Sequence, residues 1–415
     1  MLDTLRIEDL DDQAFDPFAT DEMAWGDIVD PYPILAGYRH EKSVHPIEYR
    51  MIFTDVPDPT LSHYPTWSVF GYDDVLEVLM RPDLYSSKIL EQNLGVAFGP
   101  TIIVMDAPEH TLYRRIFQKA FSPGIVRKWV DDIVDPIIHG LIDKIEGKGK
   151  ADLVADFTEP FPFHVIYQQL GLPPEDGRIF HKLACTQLFW VSDPDKTDEA
   201  GRKLTKFFGA LLDERRENPG DDLVSLLATA QHDGQFLPRE TLIAFLRQLI
   251  NAAGDTTYRT TGTLLMALLR HPDQLEAVRR DRSLIPQAID EALRWDGPVL
   301  MNWRGTTRDV TLGGVDIPAG ACVNIVQASA HRDESKYKDG DRFDIFRDRT
   351  HRHFGFATGP HVCLGQHLAR LEMERALTAI LDRLPNLRLD PDHPVPVSRG
   401  FHLRSPDHVH ARFDV

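Results

Sequence analysis

Cys363 stands in the stretch Phe356-Ala357-Thr358-Gly359-Pro360-His361-Val362-Cys363-Leu364-Gly365. Behind it Leu364, Leu368, Leu371, Leu377, Ile380, Leu381 and Leu384 recur near helical spacing, which predicts an amphipathic helix starting just past the cysteine. Gly359 and Gly365 remove the Cβ atoms that would keep a flat partner at a distance. The unpaired N–H groups and dipole of a helix start favour a thiolate there. A lone thiolate so presented suits the axial position of a haem iron. A single cysteine is more often just a small buried residue, so other stretches must decide between the two.

Asn251-Ala252-Ala253-Gly254-Asp255-Thr256-Thr257 sets an acid beside a hydroxyl in the middle of a long helical pattern, Arg239 to about Arg270. Thirty-two residues span about 48 Å at 1.5 Å per residue. The small residues and threonines permit a local bulge, where Asp255 and Thr256 could relay protons. His110 and Arg114 are four apart and share a helix face, where they could clamp an anion. Glu291 and Arg294, three apart, form a pair that Arg347 could complete, fixing a loop rigidly if buried. Arg304 and His361 are the remaining isolated cations of interest.

The elements that position these groups are mostly helical. Segments across 124–216 are expected to break at Pro136, Gly171-Leu172-Pro173-Pro174 and Ser192-Asp193-Pro194. A β-prone run at Thr66–Phe70 and another from Asp309 to Ile325, with a hairpin signal at Gly313-Gly314, could pair into one small sheet. That pairing ties 1–415 into a single domain although length alone allows two or three. The first 35 residues, with Pro17, Pro31 and Pro33, read as a surface arm. Tyr85 to Ile103 reads as a long substrate-facing loop. A net charge of −18 over 415 residues argues against nucleic acid. The three cysteines, Cys185, Cys322 and Cys363, argue against a disulfide framework. No run reaches the length of a membrane span, and the start lacks a signal-peptide pattern, so a cytoplasmic protein without membrane contact is expected.

In this order the stretches resemble the cytochrome P450 family, the haem-thiolate monooxygenases, from about Trp67 to the C-terminus. The loop matches the family's haem signature at Phe356, Gly359, His361, Cys363 and Gly365, with Ala357 where glycine or a small polar residue is usual. Glu291 and Arg294 fall on the ExxR pair, Asp255 and Thr256 on the acid–threonine pair. His110 and Arg114, joined by Arg304 and His361, match the grip on the haem propionates.

The resemblance implies a mainly α fold with a small β region, with haem b (iron protoporphyrin IX) between the long distal helix and the helix following the cysteine loop. It implies Cys363 as iron ligand and proton delivery by Asp255 and Thr256. The expected reaction inserts one atom of O2 into a small, mainly apolar substrate, by hydroxylation or O-dealkylation. Electrons would come from a separate ferredoxin and ferredoxin reductase, since no flavin- or nucleotide-binding loop follows the cysteine. A monomer is expected. A peroxide-driven enzyme of the same fold and a non-enzymatic haem-thiolate gas-binding protein are the alternatives. Helical spacing puts Gln248, Asn251 and Ala252 beside the proton relay, and Val299, Leu300, Met301 and Phe401 are expected to complete the substrate pocket. Arg114, Arg115, Lys119, Arg127, Lys128, Arg347, Arg349 and Arg352 would give a basic face for an acidic ferredoxin.

Overall fold

One helix, Arg239–Arg270, runs through the middle of the molecule, with the bounds its periodicity predicts. Apolar residues lie around nearly its whole circumference, Leu242, Phe245, Leu246, Ile250 and Leu264 through Leu269 all being buried, so it can only be a core helix. Pro160–Gln169, Gly177–Thr186, Pro194–Glu217, Ile285–Asp296 and Gln366–Arg383 pack on it. The structure, a computed structural model, describes residues 5–17, 25–172 and 176–415.

The expected bulge at Asn251–Thr257 is absent: the helix continues unbroken. Gly254 serves packing instead, because a Cβ there would run into the Phe163 ring of the neighbouring helix. The threonines do bond back, Thr256 Oγ1 to the Ala252 carbonyl at 3.0 Å and Thr260 Oγ1 to the Thr256 carbonyl at 2.7 Å. Both bonds fit within regular helix geometry.

The small sheet forms as expected. Thr66–Val69 pairs in parallel with Cys322–Ile325, which pairs antiparallel with Asn302–Thr306; Val44–His45 and Tyr85–Ser86 close the two edges. Val310–Leu312 and Val315–Ile317 make the expected hairpin, with Gly313 and Gly314 both at positive φ as a tight turn requires.

Three expectations need correction. The first 35 residues are not a surface arm throughout: Ile7 and Leu10 enter the main core, Trp25 is buried, and Tyr32–Glu41 is a helix with Pro33 in its first turn, where a missing N–H costs nothing. Tyr85 to Ile103 is not a plain loop, since it holds a short strand, a 3₁₀ turn at Lys88–Gln92 and a helix at Leu94–Phe98 capped by Asn93. Pro136 does not end a helix; it sits in the first turn of Asp135–Ile142. Pro173 and Pro174 lie outside the described residues, while Pro194 opens Pro194–Glu217 with Asp193 as its cap.

Candidate active site

Between the long helix and the cysteine loop lies a cavity of about 300 Å³. Cys363 borders it together with Phe356, Ala357, His361, Val362 and Gly365. The cysteine's own N–H donates to the Phe356 carbonyl at 2.9 Å, which closes the loop. Ala357 sits at φ +53°, a conformation that explains why glycine suits this position better. The helix Gln366–Arg383 begins directly behind. Burial pushes the Cys363 thiol up, while the N–H groups of Gly365 and Gln366 and the nearby Arg114 pull it down. Those donors are what a sulfur-bound metal would need. Gly359 does not border the cavity; at φ +74° its missing Cβ clears the Leu79 carbonyl, so its task is to seat the loop on the helix Tyr72–Met80.

His110 and Arg114, one turn apart on Glu109–Ala120, both border the cavity. The His110 and His361 rings pack against each other at a tilt of 32° with centroids 4.0 Å apart, and His361 Nε2 lies 3.0 Å from Ser87 Oγ. Burial holds both imidazoles below their ordinary range, and in His361 Arg304 adds to the effect. His110 Nε2 is buried without a hydrogen-bond partner among the described residues. Arg304 is buried behind the pair rather than on the cavity wall, with Nη1 donating to the Trp303 carbonyl at 2.6 Å. A flat ring bearing carboxylates would supply acceptors for His110 and Arg114, so the residues present fit a haem held by Cys363.

The long helix presents two faces to two environments. Gln248, Ala252, Thr256 and Thr260, spaced by four, line the cavity. Asn251, Asp255 and Arg259 lie about 100° round the axis and are buried in protein. Asp255 pairs with Arg259 Nε at 3.1 Å, and Arg259 Nη1 reaches Ser405 Oγ at 3.2 Å. Thr256 therefore faces the reaction space, while Asp255 stands behind it.

Glu291 and Arg294 form a buried double contact, with Nε to Oε2 and Nη2 to Oε1 both at 2.8 Å. Arg294 also donates to the carbonyls of His331, Gly340 and Arg342 at 2.8, 2.8 and 3.1 Å. Arg347 joins as expected, Nε to Glu291 Oε1 at 3.2 Å. This triad ties Ile285–Asp296 to the segment that leads into the cysteine loop.

The structure separates the residues expected to form the substrate pocket. Gln248, Ala252 and Val299 line the cavity; Asn251, Leu300, Met301 and Phe401 do not. Asn251 Nδ2 donates to the Ala184 carbonyl at 3.3 Å. Consecutive residues of an extended segment alternate sides, so Val299 and Leu300 cannot both face in. Met301 and Phe401 line a smaller neighbouring space with Trp25, Trp190 and Trp303. Residues not singled out as pocket residues also border the cavity: Ile102, Ile103, Phe245, Asn302, Gln327 and Glu372. Ile102 and Ile103 end the stretch read as substrate-facing. Glu372 carried one available signal, an acid nine residues past Cys363 between the buried Leu368 and Met373. Burial pushes its carboxyl up to about 8.

Of the expected basic face, Arg114 turns inward and Arg347 is engaged with Glu291. Arg115, Lys119, Arg127, Lys128, Arg349 and Arg352 remain exposed, with Lys128 paired to Asp221 and Arg349 to Asp290. No helix of the described residues is long and apolar enough to cross a membrane.

Comparison with known proteins agrees with this geometry. The sequence model of the family described as Cytochrome P450 matches residues 178–406. The cytochrome P450 monooxygenase PikC of Streptomyces venezuelae is 34% identical over 386 residues, 89% of each chain. The putative cytochrome P450 YjiB of Bacillus subtilis is 34% identical over 384 residues, 90% of this chain and 96% of that one. The solved cytochrome P450 PksS of Bacillus subtilis superposes with TM-score 0.83 at 28% identity, over 97% of this chain and all of the other. CYP109E1 from Bacillus megaterium, solved in complex with testosterone, gives 0.81 at 28% identity over 93% and 100%. Relatives this close, spanning nearly the whole length and sharing its fold, make the chain a member of the cytochrome P450 family, of the bacterial type, and a monooxygenase.

Proposed function

We propose that the protein inserts one oxygen atom of O2 into a small, mainly apolar substrate bearing an oxygen function, by hydroxylation or O-dealkylation, with electrons from a ferredoxin and its reductase. Family membership brings the haem-thiolate iron, dioxygen and redox partner proteins; haem b and the ferredoxin are our assignments. The bound haem supplies oxygen activation. Cys363 would hold it from the loop side, with His110, Arg114 and His361 toward its carboxylates and Arg304 behind them. Thr256, the hydroxyl facing the cavity, would hold a proton at Oγ1 for transfer toward the reaction space. Asp255 would act from behind, through reorganisation of its pair with Arg259.

The observation that carries the substrate class is the polar pattern of an otherwise apolar wall. Ile102, Ile103, Phe245, Leu249, Leu293 and Val299 supply the apolar surface. Thr101 donates its hydroxyl to Gln248 Oε1, which turns the Gln248 amide N–H groups toward an acceptor. Asn302 donates to Gln327 Oε1 at 2.8 Å, and Gln327 to the Phe354 carbonyl at 2.8 Å, leaving Asn302 Oδ1 as acceptor. A hydroxyl, carbonyl or ether on a terpenoid, steroid or aromatic skeleton satisfies such a wall; a plain alkane leaves it unpaired. The complex of CYP109E1 with testosterone is a ligand of that kind in a structural relative. The test supplies ferredoxin, reductase and reduced nicotinamide to the haem-loaded enzyme, with oxygenated ligands and their hydrocarbon analogues. Substrate-dependent nicotinamide consumption, and a preference for oxygenated ligands that Gln248→Leu removes, are expected. Turnover with peroxide alone, or equal binding of both classes, would overturn the reading.

A further inference from the structure

The C-terminal strand carries a cluster of side chains that the haem site does not use. His410–Arg412 lies between Arg388–Leu389 and Lys150–Asp152, antiparallel to both, with His410 directly opposite Asp152. Val409 is fully buried, which turns its two neighbours outward together. The His408 and His410 rings stack with centroids 5.3 Å apart, and His393 covers the other ring, 3.7 Å from His410.

The carboxylate of Asp152 is oriented by the backbone. Oδ1 accepts the N–H groups of Val154 at 3.1 Å and Val409 at 3.0 Å, so Oδ2 faces His408 Nδ1 at 2.6 Å. One ligand atom from each of Asp152, His408 and His410 lies within 4.8 Å of the others. A tetrahedral zinc-class ion with bonds of about 2.0–2.1 Å separates its ligand atoms by about 3.3 Å. Ligand atoms within 4.8 Å of one another exceed that spacing by at most about 1.5 Å, a difference on the scale of side-chain rotation. As an ion pair alone, the partly exposed Asp152–His408 contact would contribute little. Two imidazoles converging on a carboxylate pinned by two backbone donors is the ligand and supporting arrangement of a metal site.

We propose that Asp152, His408 and His410 bind one divalent transition-metal ion of the zinc class, with water completing the coordination. The ion ties the C-terminal strand to Lys150–Asp152. It is structural, apart from the oxygenation chemistry.

The test uses tag-free, haem-loaded enzyme stripped with chelator and titrated with Zn²⁺ by calorimetry, with thermal unfolding measured alongside. One saturable equivalent and a raised unfolding midpoint are expected. His408→Gln, His410→Gln and Asp152→Asn should each weaken binding by about tenfold or more. Their metal-free midpoints should match the wild type, which shows that each variant folds. His232→Gln, at an exposed histidine elsewhere, should bind zinc like the wild type. No saturable binding below about 1 mM would overturn the proposal, since that is a free energy of only about 4 kcal/mol. Full affinity in the His408→Gln, His410→Gln double variant, or loss of binding in His232→Gln, would overturn it equally.

Discussion

Arg294 offers the sharpest energetic test of how the cysteine loop is held. Its side chain is 3% exposed and that of Glu291 5%, so neither charge has water to fall back on. All five guanidinium N–H bonds are used: two on the Glu291 carboxylate and three on the carbonyls of His331, Gly340 and Arg342. A lysine has three donors on one nitrogen and leaves at least two of those five acceptors unmet. Unmet charge-assisted bonds at about 1.5 kcal/mol each put the loss for Arg294→Lys near 3 kcal/mol. Arg294→Ala strands Glu291 as a buried charge and should lose about 3–5 kcal/mol. Arg347→Ala should lose less, about 1–2 kcal/mol, because most of its bonds are solvent-exposed. Domains of ordinary stability have about 5–15 kcal/mol in hand, so the alanine variant should also shed haem. Urea unfolding of the haem-loaded protein, followed together by the Soret band and tryptophan fluorescence, reads the order directly. Arg294→Lys unfolding with the wild type, or Arg347→Ala being the worst of the three, would refute the reasoning.

Gly254→Val should fail to fold or lose more than about 3 kcal/mol, because its side chain must displace the Phe163 ring; normal stability by thermal unfolding would show that the two helices can part. Glu372 is held protonated by burial up to about pH 8, while its unfolded carboxyl ionises near the ordinary 4.5. Stability should therefore fall as pH rises between those values, by at most about 1.4 kcal/mol per unit, and Glu372→Gln should flatten the profile in urea melts at pH 5 to 8. An unchanged slope would place the titration elsewhere. If Arg115, Lys119, Arg127 and Arg352 receive an acidic ferredoxin, stopped-flow reduction should slow as salt rises and slow further with Arg115→Glu; indifference to both would remove the basic face.

The parts of this fold legible in the sequence are those set by local pattern or by one residue's chemistry. The long helix is legible, from Arg239 to about Arg270, because its helical pattern continues for some thirty residues, and the Gly313-Gly314 turn because glycine accepts two successive positive φ values cheaply. Glu291, Arg294 and Arg347 could be joined because three charges near a loop must compensate one another once buried. What failed depended on contacts remote in sequence. Gly254 belongs to a stretch whose composition permits a bulge, and only the Phe163 ring, remote in sequence, gives it a packing role in an unbroken helix. Asn251 reads as a pocket residue because only about 60° of the axis separates it from Gln248, and only the neighbouring helices decide which face is wet. Ser87, nearly three hundred residues from His361, gave no signal at all. The N-terminal stretch looked like an arm because prolines mark irregular backbone without saying whether it is buried.

The central claim is that Cys363 presents its sulfur to a haem iron. The measurement that addresses it most directly is the absorption spectrum of the reduced protein under carbon monoxide, for wild type and Cys363→His. The wild type should show the strongly red-shifted Soret band of a thiolate ligand, and the variant the ordinary imidazole position with haem still bound. A wild-type band already at the imidazole position, or one that Cys363→His leaves unmoved, would contradict the assignment.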